Sequence, residues 1–210
     1  VRYAFGETRQ SARFLRTFSQ GMTFDGYFLD TWPAYDRLAR IMQRQMGTTI
    51  WGPILDHGVQ FVFDCWNYSL ETGDLDALRD PYPRLLKFAA YLQNLVRADG
   101  LLPVEKIGVP SVWLDHDAYT QQRHKQCAFN LNTAAMFRHA LAPLVRTFGD
   151  DALADRFDAF GQQLLATTTG RFWDAQSGLF VTNRPWLAEE GSIRLCDRSL
   201  ATSIIFDQCP

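Results

Sequence analysis

The sequence predicts an all-α fold, a toroid of paired helices of which these 210 residues supply about half the ring. Three observations predict it. An acidic glycine turn recurs at Gly6-Glu7, Gly73-Asp74 and Gly149-Asp150. A second glycine backed by apolar residues follows each of them: Asp25-Gly26-Tyr27-Phe28, Asp99-Gly100-Leu101-Leu102 and Ser177-Gly178-Leu179-Phe180. This second mark returns roughly every 75 residues, and a fixed long period is the signature of a repeat architecture. The helices between the marks alternate in character, and the connections between them alternate in length.

Val1 reads as lying in the tail of a helix, so the chain is expected to be a piece of a longer protein. The outer helix after the first turn runs into a long connection over 21–56, with room for an extra helix around 34–46. The segment 57–70 is apolar nearly all round (Val59, Phe61, Val62, Phe63, Cys65, Trp66, Tyr68, Leu70), which predicts an inner helix buried on every side. The segment 84–97 carries one stripe (Leu85, Leu86, Phe88, Ala89, Leu92, Leu95, Val96) opposite Arg84, Lys87, Gln93, Asn94 and Arg97, which predicts a surface helix. The same alternation returns as an inner helix over 127–144 and an outer one over 151–168. Each Gly-Asp turn places its acid to cap the outer helix or sit in its first turn, where the dipole favours negative charge. A final helix is predicted over 199–206, opened by a local Asp197–Arg198 pair.

Inner-to-outer turns take two or three residues. The outer-to-inner connections 21–56, 100–118 and 171–197 are long, and long structured loops on one rim are where sites are built. Short extended pieces are expected at Gly100-Leu101-Leu102 and Gly178-Leu179-Phe180-Val181. The whole is expected to form a single partial domain over 1–210.

Composition narrows the function. A net charge of −2 with scattered Lys and Arg excludes a phosphate-backbone track, and no apolar stretch reaches the length of a membrane span. Cys65, Cys127, Cys196 and Cys209 have neither metal-site spacing nor a His partner, which predicts buried free thiols and no zinc. The sequence contains no nucleophile elbow, phosphate loop or dinucleotide fingerprint.

The unusual residues lie in the long connections. Trp51-Gly52-Pro53-Ile54-Leu55-Asp56-His57 enters one inner helix and Trp113-Leu114-Asp115-His116-Asp117 enters the next. Each places a Trp before Leu-Asp-His. A sugar packs its C–H face on an aromatic ring and needs fixed charged partners for its hydroxyls, so Trp51, Asp56, His57, Trp113 and Asp115 are the candidate substrate-binding residues. Asp56 and Asp115 equally fit plain helix N-caps. Asp115-His116-Asp117 is no metal set, because three adjacent residues on a regular element cannot face one ion. Glu189-Glu190 has the composition of a glycosidase acid/base pair but reads better as solvated loop acids.

In order, Tyr3-Ala4-Phe5-Gly6-Glu7, Asp25-Gly26, Thr72-Gly73-Asp74, Trp113-Leu114-Asp115, Asn130-Leu131-Asn132-Thr133, Phe172-Trp173-Asp174 with Gly178-Leu179-Phe180, and Ser199-Leu200-Ala201-Thr202 form a series. The series resembles the six-hairpin catalytic domain of bacterial α-L-rhamnosidases, glycoside hydrolase family 78, over essentially the whole chain. The resemblance implies half of an (α/α)6 toroid that hydrolyses terminal α-L-rhamnosides with inversion and needs no cofactor. It implies a general-acid Glu before Val1 and a base after Pro210, with the remaining helices of the same toroid as partners. It matches Trp113 to a sugar-stacking Trp and puts Asp56 and His57 at the mouth of an inner helix. A debranching or trehalase-like glucosidase, a polysaccharide lyase and a non-catalytic helical-repeat scaffold are the alternatives.

Overall fold

The computed structural model describes residues 6–29, 32, 54–107, 112–114 and 119–210, and these are mostly helical, as an all-α chain requires. They fall into two compact units, residues up to Asn94 in the first and Leu95–Ile107 with 112–210 in the second. The helix expected over 34–46, Trp51 and Asp115-His116-Asp117 lie outside the described residues.

In the first unit, α1 (Arg9–Ser19) begins under Glu7, whose Oε1 accepts from the backbone N–H groups of Arg9 at 2.7 Å and Gln10 at 3.4 Å. The acid of the first glycine turn therefore caps the helix that follows it. The chain then turns a corner in which Thr23 N donates to Tyr27 O and Gly26 N to Thr23 O. Gly26 sits at φ 107°, where a Cβ would also come within 3.1 Å of the Lys87 backbone, so both torsion and space call for glycine.

The predicted inner helix is α2 (Leu55–Thr72). Val59, Phe61, Val62, Phe63, Cys65 and Tyr68 are all buried, but His57, Gln60, Asn67, Leu70 and Glu71 are exposed, so an open stripe runs the length of the helix and it is not buried on every side as expected. Gly73 ends it in the left-handed region, donating to Ser69 O. Asp74 does not cap the outer helix directly. Its Oδ1 accepts from Ala77 N at 3.1 Å and so caps a short 3₁₀ turn, Asp76–Leu78. The helix expected to be outer, α3 (Tyr82–Leu95), starts after Pro81, whose carbonyl accepts from Arg84 N and Leu85 N. It buries Leu85, Phe88, Ala89 and Leu92, the predicted stripe.

In the second unit, the helix expected to be inner is one rod in three parts: α4 (Gln126–Met136), a π turn (Phe137–Leu141) and α5 (Ala142–Thr147). Pro143 accounts for the widened turn. It has no N–H for the His139 carbonyl, and its ring would crowd that carbonyl in a regular α-turn. The helix expected to be outer, α6 (Asp151–Phe172), opens on Asp150, whose side chain accepts from Leu153 N at 2.9 Å, the N-cap of the two roles expected for it.

A two-residue hairpin follows, β1 (Trp173–Asp174) paired antiparallel with β2 (Leu179–Phe180), which realises one predicted extended piece. Leu101-Leu102, the other, forms no strand. Then come α7 (Leu187–Glu190) and α8 (Asp197–Ile205). Leu101, Cys127, Leu131, Phe172 and Phe180 form a core that joins α4, α6 and the hairpin. Cys65, Cys127 and Cys196 are buried free thiols, as expected, whereas Cys209 is exposed. No helix among the described residues is long and apolar enough to cross a membrane.

Candidate functional site

The long connections of the second unit meet at a turn that the sequence did not single out. Gln122–Lys125 forms a 3₁₀ turn just before α4. On a 3₁₀ helix, residues i and i+3 lie on one edge. Gln122 Nε2 and Lys125 Nζ accordingly both donate to Val112 O, at 2.9 and 3.2 Å. The two residues between them face the other connection. Arg123 donates to Glu189 Oε1 at 3.0 Å, and His124 Nε2 lies 3.1 Å from Glu189 Oε2. One turn of four residues thus fixes both 112–114 and 187–190.

His124 is the centre of this arrangement, with its side chain only 1 % exposed. Its second nitrogen, Nδ1, lies 3.2 Å from Glu190 Oε1, out of line for a hydrogen bond, so that contact is electrostatic. The other Glu190 oxygen accepts from Asn183 Nδ2 at 3.0 Å and Arg194 Nε at 2.9 Å. Asn183 completes the loop by donating to Ser192 O and accepting from Arg194 N. The Glu190 side chain is 5 % exposed. Its burial would raise the carboxyl pKa, but hydrogen bonding from Thr120 and the charges of His124 and Arg194 outweigh that and hold it below the ordinary carboxylate value.

This corrects the reading of solvated loop acids for Glu190 alone. Glu189 is exposed, as that reading expects, but the Glu190 side chain is a buried, ion-paired anchor. A carboxyl held deprotonated is also the wrong state for a general acid, which needs a raised pKa.

Trp113 sits beside this turn, half-buried, with the Lys125 ammonium 5.8 Å from its ring centre. That cation lies over the indole ring. Leu114, the next residue, is buried at φ 55°. A leucine in the left-handed region is held there by its surroundings, which marks a fixed loop rather than a loose one. Tyr119 OH lies 2.8 Å from Cys196 Sγ, and burial pushes its pKa up, so the phenol stays protonated and ties the start of the turn to α8.

The remaining predicted residues belong to the first unit. Asp56 is buried in the first turn of α2, but Ile54 is the N-cap residue. Asp56 therefore stands as a first-turn acid where the helix dipole favours it, not as the N-cap, one of its two expected roles. His57 is exposed one residue further along, donating its backbone N–H to Ile54 O. Trp51 and Asp115 lie outside the described residues. Asp197 Oδ1 accepts from Arg198 N at 2.8 Å and so caps the start of α8 through the backbone.

Among the described residues no three His, Cys, Asp or Glu side chains converge as metal ligands. Comparison with protein-family models finds no match, and neither does comparison with curated proteins.

Proposed function

We propose that this chain is part of an (α/α)6 toroid of a glycoside hydrolase that acts on terminal α-L-rhamnosides by inversion. The observation that carries the reading is the union of helix pairs with one fixed rim: Trp113 held beside a buried His124–Glu190 anchor where two long connections meet. An aromatic face beside fixed polar groups is what a sugar ring needs. In the second unit, the alternation of a helix buried nearly all round, α4, with an amphipathic one, α6, supports the toroid. So do Ile204 and Ile205 of α8, each 72 % exposed, a surface that a neighbouring hairpin of a ring would cover.

In this reading Trp113 stacks the sugar and Lys125 offers a donor to a hydroxyl. Glu190 and His124 position the turn that carries Lys125. Inversion needs an acid and a base roughly 6.5–9.5 Å apart with water between them, and opposite hairpins of a rim can supply that spacing. Glu190 does not fit the acid, which agrees with catalytic carboxylates contributed by further helices of the same ring.

The test is hydrolysis of 4-nitrophenyl α-L-rhamnoside by this chain and by a form extended with flanking hairpins. Turnover by the extended form alone, with KM raised in Trp113→Ala, supports the proposal. Turnover of an aryl glucoside instead moves the assignment to a glucosidase of the same architecture. Failure on a wide glycoside panel sinks the enzyme reading and favours a helical-repeat scaffold, for which the exposed Ile204 and Ile205 are the specific observation.

A further inference from the structure

We propose that α1 and the end of α2 form a binding site for an oxyanion, the phosphate or carboxylate group of a small polar ligand. A groove of about 520 Å³ in the first unit is lined by Arg9, Arg13, Arg16, Thr17, Tyr68 and Asp74. The three arginines stand at i, i+4 and i+7 of α1, one face of the helix, where like charges repel and cost stability. Two acids offset them, one at each end. Glu7 Oε1 lies 3.7 Å from Arg9 Nε. Asp74 is held below the ordinary carboxylate value first by the Ala77 N–H and then by the Tyr68 hydroxyl, with the Arg16 charge contributing. Arg13, in the middle, has no ion-pair or hydrogen-bond partner among the described residues. The Arg16 guanidinium likewise makes no ion pair or hydrogen bond among the described residues, so the excess positive charge of the groove lies over Arg13 and Arg16.

The acids that are present make no ion pair or hydrogen bond with Arg13. Both Asp74 oxygens are engaged, Oδ1 by Ala77 N and Oδ2 by Tyr68 OH at 2.9 Å, and Glu7 is bound to the first N–H groups of α1. The capture of those N–H groups also means that guanidinium groups, not the helix terminus, would hold the ligand. A guanidinium presents paired donors that match the oxygens of a phosphate or carboxylate. The groove exceeds the volume of a bare anion, so the body of the ligand would lie against Thr17 and Tyr68. This site belongs to the end of α2 that carries the short Gly73-Asp74 turn and is independent of the proposed glycosidase activity.

Titration calorimetry with inorganic phosphate and with glucuronate, at fixed ionic strength, tests the proposal on wild type, Arg13→Ala, Arg13→Lys and Arg156→Ala. Arg13 and Arg156 are both exposed, so neither truncation should disturb folding, and an unchanged melting temperature verifies it. The expected result is saturable binding of one probe. Arg13→Ala weakens it about tenfold, Arg13→Lys weakens it less, and Arg156→Ala leaves it unchanged. Phosphate as the binding probe assigns a phosphate monoester, and glucuronate assigns a carboxylate. Binding of neither probe overturns the proposal, as does an equal loss in Arg13→Ala and Arg156→Ala, which would mean diffuse attraction to surface charge.

Discussion

The first unit holds its corner with rings, and the second holds its loops with amides and charges. In the first, Phe18 and Phe28 pack on Phe61 at 4.8 and 5.0 Å, and Phe28 meets Phe88 at 5.3 Å, so ring packing seats the turn after α1, whose own backbone bonds, such as Thr23 N to Tyr27 O, stay within the turn. In the second, the backbone of Leu102 is bonded by side chains. Its N–H donates to Asn130 Oδ1 at 2.8 Å, and its carbonyl accepts from Asn130 Nδ2 and Gln126 Nε2. The His124–Glu190 anchor fixes the next loop in the same manner. Apolar burial is non-directional and sets where a segment lies only loosely. A satisfied polar network sets its position and orientation together. The difference separates a region built for stability from one built for placement.

The largest expected effect breaks the ring cluster. Phe61→Ala removes a fully buried ring that touches two others and should cost about 3–5 kcal/mol in urea unfolding, while Phe61→Leu should cost much less. If both variants cost the same, ring geometry rather than buried volume holds the corner, and the contrast drawn above weakens. Asn130→Ala is the counterpart in the second unit. It strips both bonds from Leu102 and should cost about 2–3 kcal/mol. Asn130→Asp sharpens the point. It keeps the acceptor for Leu102 N but loses the donors to Leu102 O and Gln126 O, so it should be destabilising although nearly isosteric.

Glu190→Gln comes next, at about 2 kcal/mol, because it leaves His124 and Arg194 without their shared charge. The sign of its pH dependence is fixed. The folded-state pKa lies below the ordinary 4.5, so the unfolded chain binds the proton more readily. The contribution of Glu190 is complete above that ordinary value and is lost as pH falls through the folded one. Unfolding measured from pH 7 to pH 3 should show wild type and Glu190→Gln converging at the acid end. Parallel curves would mean that Glu190 is not held as an anion.

Much of the fold was legible because period and amphipathicity are local signals. All six punctuating glycines, Gly6, Gly26, Gly73, Gly100, Gly149 and Gly178, have positive φ, the torsion that made them necessary. The buried faces of α2 and α3 followed from their apolar patterns. The candidate site was less legible. Trp113 stood out by type, but Gln122–Lys125 reads as an ordinary polar stretch, and nothing local reveals that Val112 lies on one side of it and Glu189 on the other. Glu190 was misread for the same reason, since its burial depends on His124, 66 positions away in the chain. The Asp74 cap was misplaced because Pro81 and Pro83 delay the outer helix and leave a 3₁₀ turn in the interval.

Two glycines of α6 give a matched test with opposite signs. A Cβ at Gly161 would fall 2.5 Å from Arg138 Cγ, 3.0 Å from Ala134 O and 3.1 Å from Phe137 Cβ. The backbone carbonyl cannot give way, so Gly161→Ala should destabilise by about 1–3 kcal/mol through forced separation of α6 from α4 and the π turn. Gly170, on the same helix, has open space around it, and Gly170→Ala should stabilise by about 0.5–1 kcal/mol through helix propensity alone. A gain in both variants would mean that the crossing at Gly161 is looser than its contacts imply.

The smallest effect separates the two Gly-Asp turns, whose sequences differ little. Asp150 does one thing, accepting from Leu153 N, so Asp150→Ala should cost about 1 kcal/mol and Asp150→Asn almost nothing, because asparagine caps equally well. Asp74 does two, accepting from Ala77 N and from the Tyr68 hydroxyl. Asp74→Asn keeps an acceptor for one of them but presents an amide donor in place of the second oxygen. It should therefore cost more than Asp150→Asn, and Tyr68→Phe should remove most of that excess. Equal costs for the two Asn variants would reduce Asp74 to a plain cap and make the two turns equivalent in function as well as in sequence.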